Sequence, residues 1–234
     1  KDNLFIAIKG KNNDGHKYVK EAIKNGASYC VVEKKIKNIN TNKLIKCINT
    51  KTFLNKIAVN KRKELRAKII AVTGSSGKTT LKTLLGKLLN NYGKTYFSPR
   101  SFNNHYGVPV SLSNTECYHD FGVFEIGMSK PGEINKLSNM IKPQIAIITN
   151  IAEAHIENFK SLKGIAKEKA EIIKNINSNG TLILNRDDKF YNYTNRLAKL
   201  KKIKTISFGF SKKSDVHPIF SKRKKMQKFL KLRL

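Results

Sequence analysis

The densest chemistry in the chain lies at Thr73-Gly74-Ser75-Ser76-Gly77-Lys78-Thr79-Thr80. Glycines at this spacing let the backbone turn so that successive N–H groups point into one concavity, which is what an anion needs. Lys78 and Thr79 follow where an apolar-periodic stretch begins, so the positive end of a helix dipole adds to the site. A lysine there reaches the outer phosphates of a nucleotide. The Thr79 hydroxyl can complete a Mg²⁺ shell otherwise made of water and phosphate oxygen. Gly74, Ser75, Ser76, Gly77, Lys78, Thr79 and Thr80 are therefore expected to bind nucleotide phosphates. The general pattern G-x-x-x-x-G-K-[ST] would put its first glycine at position 72, which is Val72. The loop is thus the shorter T-G-x-x-G-K-T variety.

Such a loop works only when a strand delivers it and a helix leaves it. Residues 69–73 read as a buried strand, and 79–90 as a helix with Leu81, Leu84, Leu85, Leu88 and Leu89 on one stripe, closed by Gly93. Further strands are predicted at 122–126, 145–149, 181–184 and 205–208, with helical stretches at 133–140 and 162–176. This alternation implies an α/β fold with a mainly parallel sheet flanked by helices. In such a sheet Glu125, ending a strand, would face the phosphate loop and could bind Mg²⁺ directly or through water.

Residues 1–66 read as a small N-terminal α/β domain. Its predicted strands are 4–8, 28–32 and 44–49; its helical stretches are 18–25 and 53–65, the latter with Phe53, Leu54, Ile57, Ala58 and Leu65 on one face. The expected organisation is therefore 1–66, a P-loop-type central domain at 67–210, and a basic tail at 211–234. That tail, with its FSKRKKMQKFLKLRL end, reads as a basic helix, a surface tail or the remnant of an interrupted reading frame.

The chain has 234 residues, with 47 Lys+Arg against 16 Asp+Glu for a formal charge of +31. Hydrophobic residues at 39 % suffice for a core, which argues against wholesale disorder. The lysines are spread along the whole length, so salt-sensitive attraction to polyanions is expected but no specific nucleic-acid site. The rival reading, a basic protein whose phosphate loop gates nucleic-acid contact, would need its cations clustered. No apolar run approaches the roughly 20 residues of a membrane span, and no signal peptide is read at the N-terminus. Cys30, Cys47 and Cys117 fit neither a disulfide framework nor a zinc pattern, and read as thiols in a reducing cytosol. The expectation is a cytoplasmic, monomeric protein without membrane insertion. Starting at Lys1 rather than Met, it reads as a fragment or a trimmed chain.

Seven blocks in order resemble the Mur ligases, ATP-dependent amide-forming enzymes of peptidoglycan precursor synthesis. They are LFIAIKGKNNDGH (4–16), VTGSSGKTT (72–80), SFNNHYGVP (101–109), FEIGMSKPGEI (124–134), ITNIAEAHIENF (148–159), AKEKAEI (166–172) and LNRDD (184–188). The third and fourth are more typical of the branch that joins D-alanyl-D-alanine to UDP-N-acetylmuramoyl-tripeptide than of the amino-acid-adding or folate-type relatives. The resemblance spans residues 2–210 and implies ATP and two Mg²⁺ ions as cofactors.

Residue by residue, it implies catalytic roles for Lys78, Glu125, His155 and Lys169, and metal binding at Thr79, Glu125, His155 and Lys169, the lysine as a carbamate. Asn104, Asn185 and Asp188 would join the phosphate loop in binding ATP. Lys9, Gly10, Asp14, Gly15, His16 and Asn103 would contact the substrate, those of the first domain through its uridine nucleotide. Read without the resemblance, His155 is a loop histidine of ordinary surface type. Asn185, Asp187 and Asp188 then form a turn with an Asx cap, and Lys169 is a phosphate-facing or solvated lysine. Two departures stand out. His105 replaces the usual acidic residue after the paired asparagines, and the C-terminal domain that the family closes over ATP is expected to be missing.

Overall fold

The structure is a computed structural model describing residues 3–154, 156–224 and 227–233, with backbone alone from 219 onward. The chain divides into two units, Lys1–Asn60 and Lys61–Leu234.

The first unit holds β1 (Asn3–Ile6), α1 (Val19–Lys24), β2 (Ala27–Val32), β3 (Leu44–Lys46) and most of α2 (Thr50–Glu64), within which the division falls. The strands form a parallel sheet in the order β1-β2-β3. Its core is Ala7, Val19, Cys30 and Val32, with Phe5, Ile23, Ile36 and Leu44 packed around them. Of the apolar face predicted for α2, Leu54 and Ala58 are buried, while Leu65 lies just beyond the helix end.

The second unit runs β4 (Lys68–Thr73), α3 (Lys78–Leu89), β5 (Thr95–Phe97), α4 (Gly107–Ser113), β6 (Phe121–Glu125), α5 (Glu133–Ile141), β7 (Ile145–Ile148), α6 (Ile156–Phe159), α7 (Leu162–Ala170), β8 (Thr181–Asn185), α8 (Tyr191–Leu200) and β9 (Lys204–Phe208). Six of its strands form one all-parallel sheet, in the order β5-β6-β4-β7-β8-β9. After β4 the chain goes outward to β5, returns through β6, and then crosses to β7 on the other side of β4. A crevice opens where these connections part, at the carboxyl ends of the strands, and there the phosphate loop lies.

Several expectations need correction. The leucine stripe of α3 is narrower than predicted. Leu81, Leu85 and Leu89 pack on Ile70, Val72, Val123 and Ile147, whereas Leu84 and Leu88 are 61 % and 55 % exposed. Those three leucines are partly buried, and the fully buried positions of α3 are Lys82 and Gly86. At Gly86 a Cβ would come within 2.4 Å of Phe97 Cδ1, so helix and strand approach more closely than any side chain permits. The helix predicted at 162–176 stops at Ala170 and continues as a 3₁₀ turn over Glu171–Asn175.

Four further elements, β5, α4, α6 and α8, lie outside the predicted strands and helices. In α4, Pro109 sits within the first turn, where a missing N–H costs nothing. Instead of a tail or basic helix, the backbone at His217–Lys224 and Gln227–Arg233 forms β10 and β11, an antiparallel pair.

Candidate functional site

Thr73 ends β4 fully buried, and the loop turns at once through Gly74 with φ +149°. A Cβ at Gly74 would lie 1.8 Å from Thr149 Oγ1, so only glycine fits. Gly77, with φ +76°, caps α3 in the left-handed region with open space around it, so its requirement is conformational alone. The loop is tied to the segment after β7. Asn150 Oδ1 accepts from the amides of Ser75 (3.1 Å) and Ser76 (2.9 Å), and Thr149 Oγ1 donates to Ser76 O at 2.6 Å. Ser75 Oγ donates to Ala152 O and accepts from Ala152 N–H, both at 2.8 Å. Thr149, Asn150 and Ala152 were not assigned from sequence. Their signal was only that they stand at the carboxyl end of the neighbouring parallel strand.

Lys78 folds back over the loop, donating to Gly74 O (2.9 Å) and Ser75 O (3.3 Å). Burial pushes its pKa down, and the Glu125 carboxylate pushes the other way. Glu125, 1 % exposed at the end of β6, joins two neighbours. Its Oε2 accepts from Thr79 Oγ1 at 2.8 Å and its Oε1 from Asn103 Nδ2 at 2.7 Å. The structure thus brings together Lys78, Thr79, Asn103 and Glu125, predicted from blocks far apart in the chain.

Across the crevice lies Lys169, 2 % exposed. Burial first, then the nearby Lys78 cation, push its pKa down to about 7, against a smaller opposing effect of Glu168. Glu168 itself accepts from the amides of Gly132 (2.9 Å) and Ile134 (3.1 Å), fixing the start of α5 against α7. Gly74, Ser75, Lys78, Asn103, Asn104 and Lys169 all line one cavity of about 110 Å³. Asn104 also accepts through Oδ1 from the amides of Tyr106 and Gly107, which starts α4. His105 comes within 4.0 Å of Glu133.

The remaining candidates sit elsewhere. Asn185 Oδ1 accepts from Asp187 N–H at 3.0 Å, an Asx turn at the end of β8. Asp188 accepts from the amides of Phe190 (2.8 Å) and Ile151 (2.6 Å), so it braces the segment that holds the phosphate loop. His155 lies outside the described residues.

In the first unit, Asp14 accepts from His16 N–H (3.0 Å), pairs with His16 Nδ1 (2.6 Å), and takes Lys34 Nζ at 2.9 Å. These partners hold its carboxyl well below the usual carboxylate range. The His16 ring is buried, and its Nε2 accepts from Glu33 N–H at 2.9 Å, so both ring nitrogens are engaged inside the unit. At Gly15 a Cβ would lie 2.8 Å from Ile8 N. Lys9 and Gly10 are exposed.

The donors at the phosphate loop suit a hard cation. Thr79 offers a hydroxyl and Glu125 a carboxylate, and Mg²⁺ takes few protein ligands while keeping water and phosphate oxygens. Among the described residues there is no cluster of three or more His, Cys, Asp and Glu that would suit a transition metal. Nor is any helix there long and apolar enough to cross a membrane.

A parallel sheet with a phosphate loop at its switch point, facing a strand-end carboxylate and a buried lysine, defines a nucleotide-binding α/β domain. The Mur ligase middle domain matches residues 72–232, running on through β10 and β11, and the chain belongs to the Mur ligase family. The UDP-N-acetylmuramoyl-tripeptide–D-alanyl-D-alanine ligase of Rickettsia prowazekii is 40 % identical over 223 residues, covering 95 % of this chain and 49 % of that protein. Among solved structures, MurF of Acinetobacter baumannii superposes with a TM-score of 0.86 at 30 % identity, over 99 % of this chain and 51 % of its own. The MurF ligase of Thermotoga maritima, solved in complex with ADP, gives 0.82 at 29 % identity, over 99 % and 53 %. The chain spans about half the length of the curated relatives it matches.

Proposed function

We propose that this chain forms the nucleotide- and substrate-binding part of a cytoplasmic, monomeric ligase that joins D-alanyl-D-alanine to UDP-N-acetylmuramoyl-tripeptide at the expense of ATP. The observation that carries the reading is the Thr79–Glu125–Asn103 arrangement beside Lys78, at 2.8 and 2.7 Å, in a cavity also lined by Lys169. The names of the relatives supply the substrates.

In the first step, an oxygen of the tripeptide's terminal carboxylate attacks the γ-phosphorus of ATP. The bond to the ADP oxygen breaks and an acyl phosphate forms. Lys78 and the amides that open α3 neutralise charge on the phosphates as it shifts toward the leaving oxygen. In the second step, the amine of D-alanyl-D-alanine attacks the acyl carbon. The tetrahedral intermediate collapses, the bond to phosphate breaks, and the nitrogen gives up its proton to the departing phosphate or to solvent.

Mg²⁺, held by Thr79 and Glu125 and in a second site by His155 and Lys169, would supply positive charge to the phosphate oxygens. Lys169 suits a modified role: a buried amine with its pKa lowered to about 7 is unprotonated, with a free lone pair, in a large share of molecules at neutral pH. That lone pair can add to CO₂ with loss of a proton, giving a carbamate able to ligate a cation. Lys9, Gly10, Asp14, Gly15 and His16 belong to the uridine-nucleotide side of this reading. Asp14, Gly15 and His16 shape that loop, and Lys9 is an exposed cation on it.

Phosphate release tests the proposal when ATP, Mg²⁺, UDP-N-acetylmuramoyl-tripeptide and D-alanyl-D-alanine are each omitted in turn. Release that needs all four supports the whole reading. No release, with ATP binding still measured by calorimetry, limits this chain to the nucleotide half. Neither release nor binding overturns it.

A further inference from the structure

Lys82 is among the largest fully buried side chains of the described structure, at 1 % exposed, and no step above uses it. It lies three residues after Thr79 on α3, so the two side chains leave the helix on the same face. Its Nζ donates to two backbone carbonyls, Ser98 O at 2.6 Å and Arg100 O at 2.5 Å. Both belong to the segment between β5 and Asn103, which turns sharply, with Arg100 in the left-handed region at φ +46°. A residue with a side chain holds that conformation only when its surroundings impose it.

This clamped segment touches the nucleotide site at three points. Ser98 Oγ accepts from the Glu125 amide at 3.2 Å and donates to Val123 O at 3.3 Å, so it fixes the end of β6. Ser101 Oγ lies 3.4 Å from Thr79 Oγ1. Asn103, whose N–H bonds back to Ser101 O at 2.8 Å, delivers its amide to Glu125. An apolar side chain would fill the same volume without the cost of burying a cation. What an ammonium adds at this place is the gathering of two backbone carbonyls.

We propose that Lys82 is a positioning residue for the metal-binding end of the nucleotide site. Its ammonium clamps the 98–101 segment and thereby sets Asn103 against Glu125 and Glu125 against Thr79. The inference rests on the functional reading above for its metal, though the clamp itself is a property of the chain. Groups that orient a metal-binding carboxylate typically alter metal affinity rather than overall binding.

Lys82→Met in the full 234-residue chain separates these roles. ATP affinity measured in EDTA should stay within about twofold of the parent, while the gain in affinity on adding Mg²⁺ falls about tenfold. Equal losses with and without Mg²⁺, or an unchanged Mg²⁺ gain, would overturn the proposal. Where the methionine variant does not fold, Lys82→Arg is read by the same criterion, with a smaller loss of the Mg²⁺ gain expected. Hydrogen exchange of the nucleotide-free protein gives a second measurement. Faster exchange confined to residues 98–104 supports the clamp, and unchanged protection there sinks it. Should the parent itself fail to bind ATP, the functional reading falls and the exchange result alone decides the clamp.

Discussion

Lys169 concentrates the electrostatics of the site in one side chain. Its pKa, about 7 in the folded protein against an ordinary 10.5, means that between those values the unfolded chain holds a proton that the native state has lost. Stability therefore rises with pH across that window, and below about pH 7 the native state bears the full cost of a buried cation beside Lys78. In CO₂-free buffer, urea unfolding of Lys169→Met should show greater stability than the parent at pH 7 and a flatter rise from there toward pH 10. Identical slopes would contradict this. Glu125→Gln keeps the shape of the carboxylate and removes its charge, so the chain should fold normally while the Mg²⁺-dependent part of ATP affinity drops at least about tenfold. Calorimetry with and without Mg²⁺ reads it. At this scale the phosphate loop and Glu125 were legible because their chemistry is tied to a strand end and a helix start. Lys82 was not, since nothing in a sequence with lysine at nearly every solvated position marks the one that is buried against carbonyls.

The elements show why periodicity alone leaves a choice open. The leucines of α3 form two adjacent ridges, 81/85/89 and 84/88, and a helical pattern does not say which ridge meets the sheet. The close approach of β5, permitted by Gly86, decides in favour of the first. Leu85→Ala should accordingly cost about 2 kcal/mol, whereas Leu84→Ser and Leu88→Ser should each stay within about 0.5 kcal/mol of the parent. Chemical denaturation of the three variants distinguishes the ridges, and equal losses would mean the wrong one is assigned. The strand of three residues at β5 and the helix α4, with its glycine and proline at the start, escaped detection for opposite reasons. One is too short to show alternation, and the other begins with residues that usually mark loops.

For the molecule as a whole, strand–helix alternation was enough to give the parallel α/β class. The order β5-β6-β4-β7-β8-β9 was not legible, because it depends on which strands meet across long connections. The backbone at β10 and β11 shows how a cation-rich stretch can still pair as strands. The charge of +31, spread evenly, should produce binding to heparin at low salt that fades steeply as salt rises and does not change in Lys78→Ala. Nucleotide binding should persist at salt concentrations that abolish the heparin signal, since it depends on a few buried partners rather than on the total field.

A calorimetric titration of this chain and of Lys78→Ala with MgATP tests most directly whether the loop seats the nucleotide. Saturable binding by the parent, weakened about a hundredfold or more in the variant, is the expected result for phosphates seated on the loop between β4 and α3. Equal affinity in the two proteins would place the nucleotide elsewhere and contradict a phosphate-binding role for this loop.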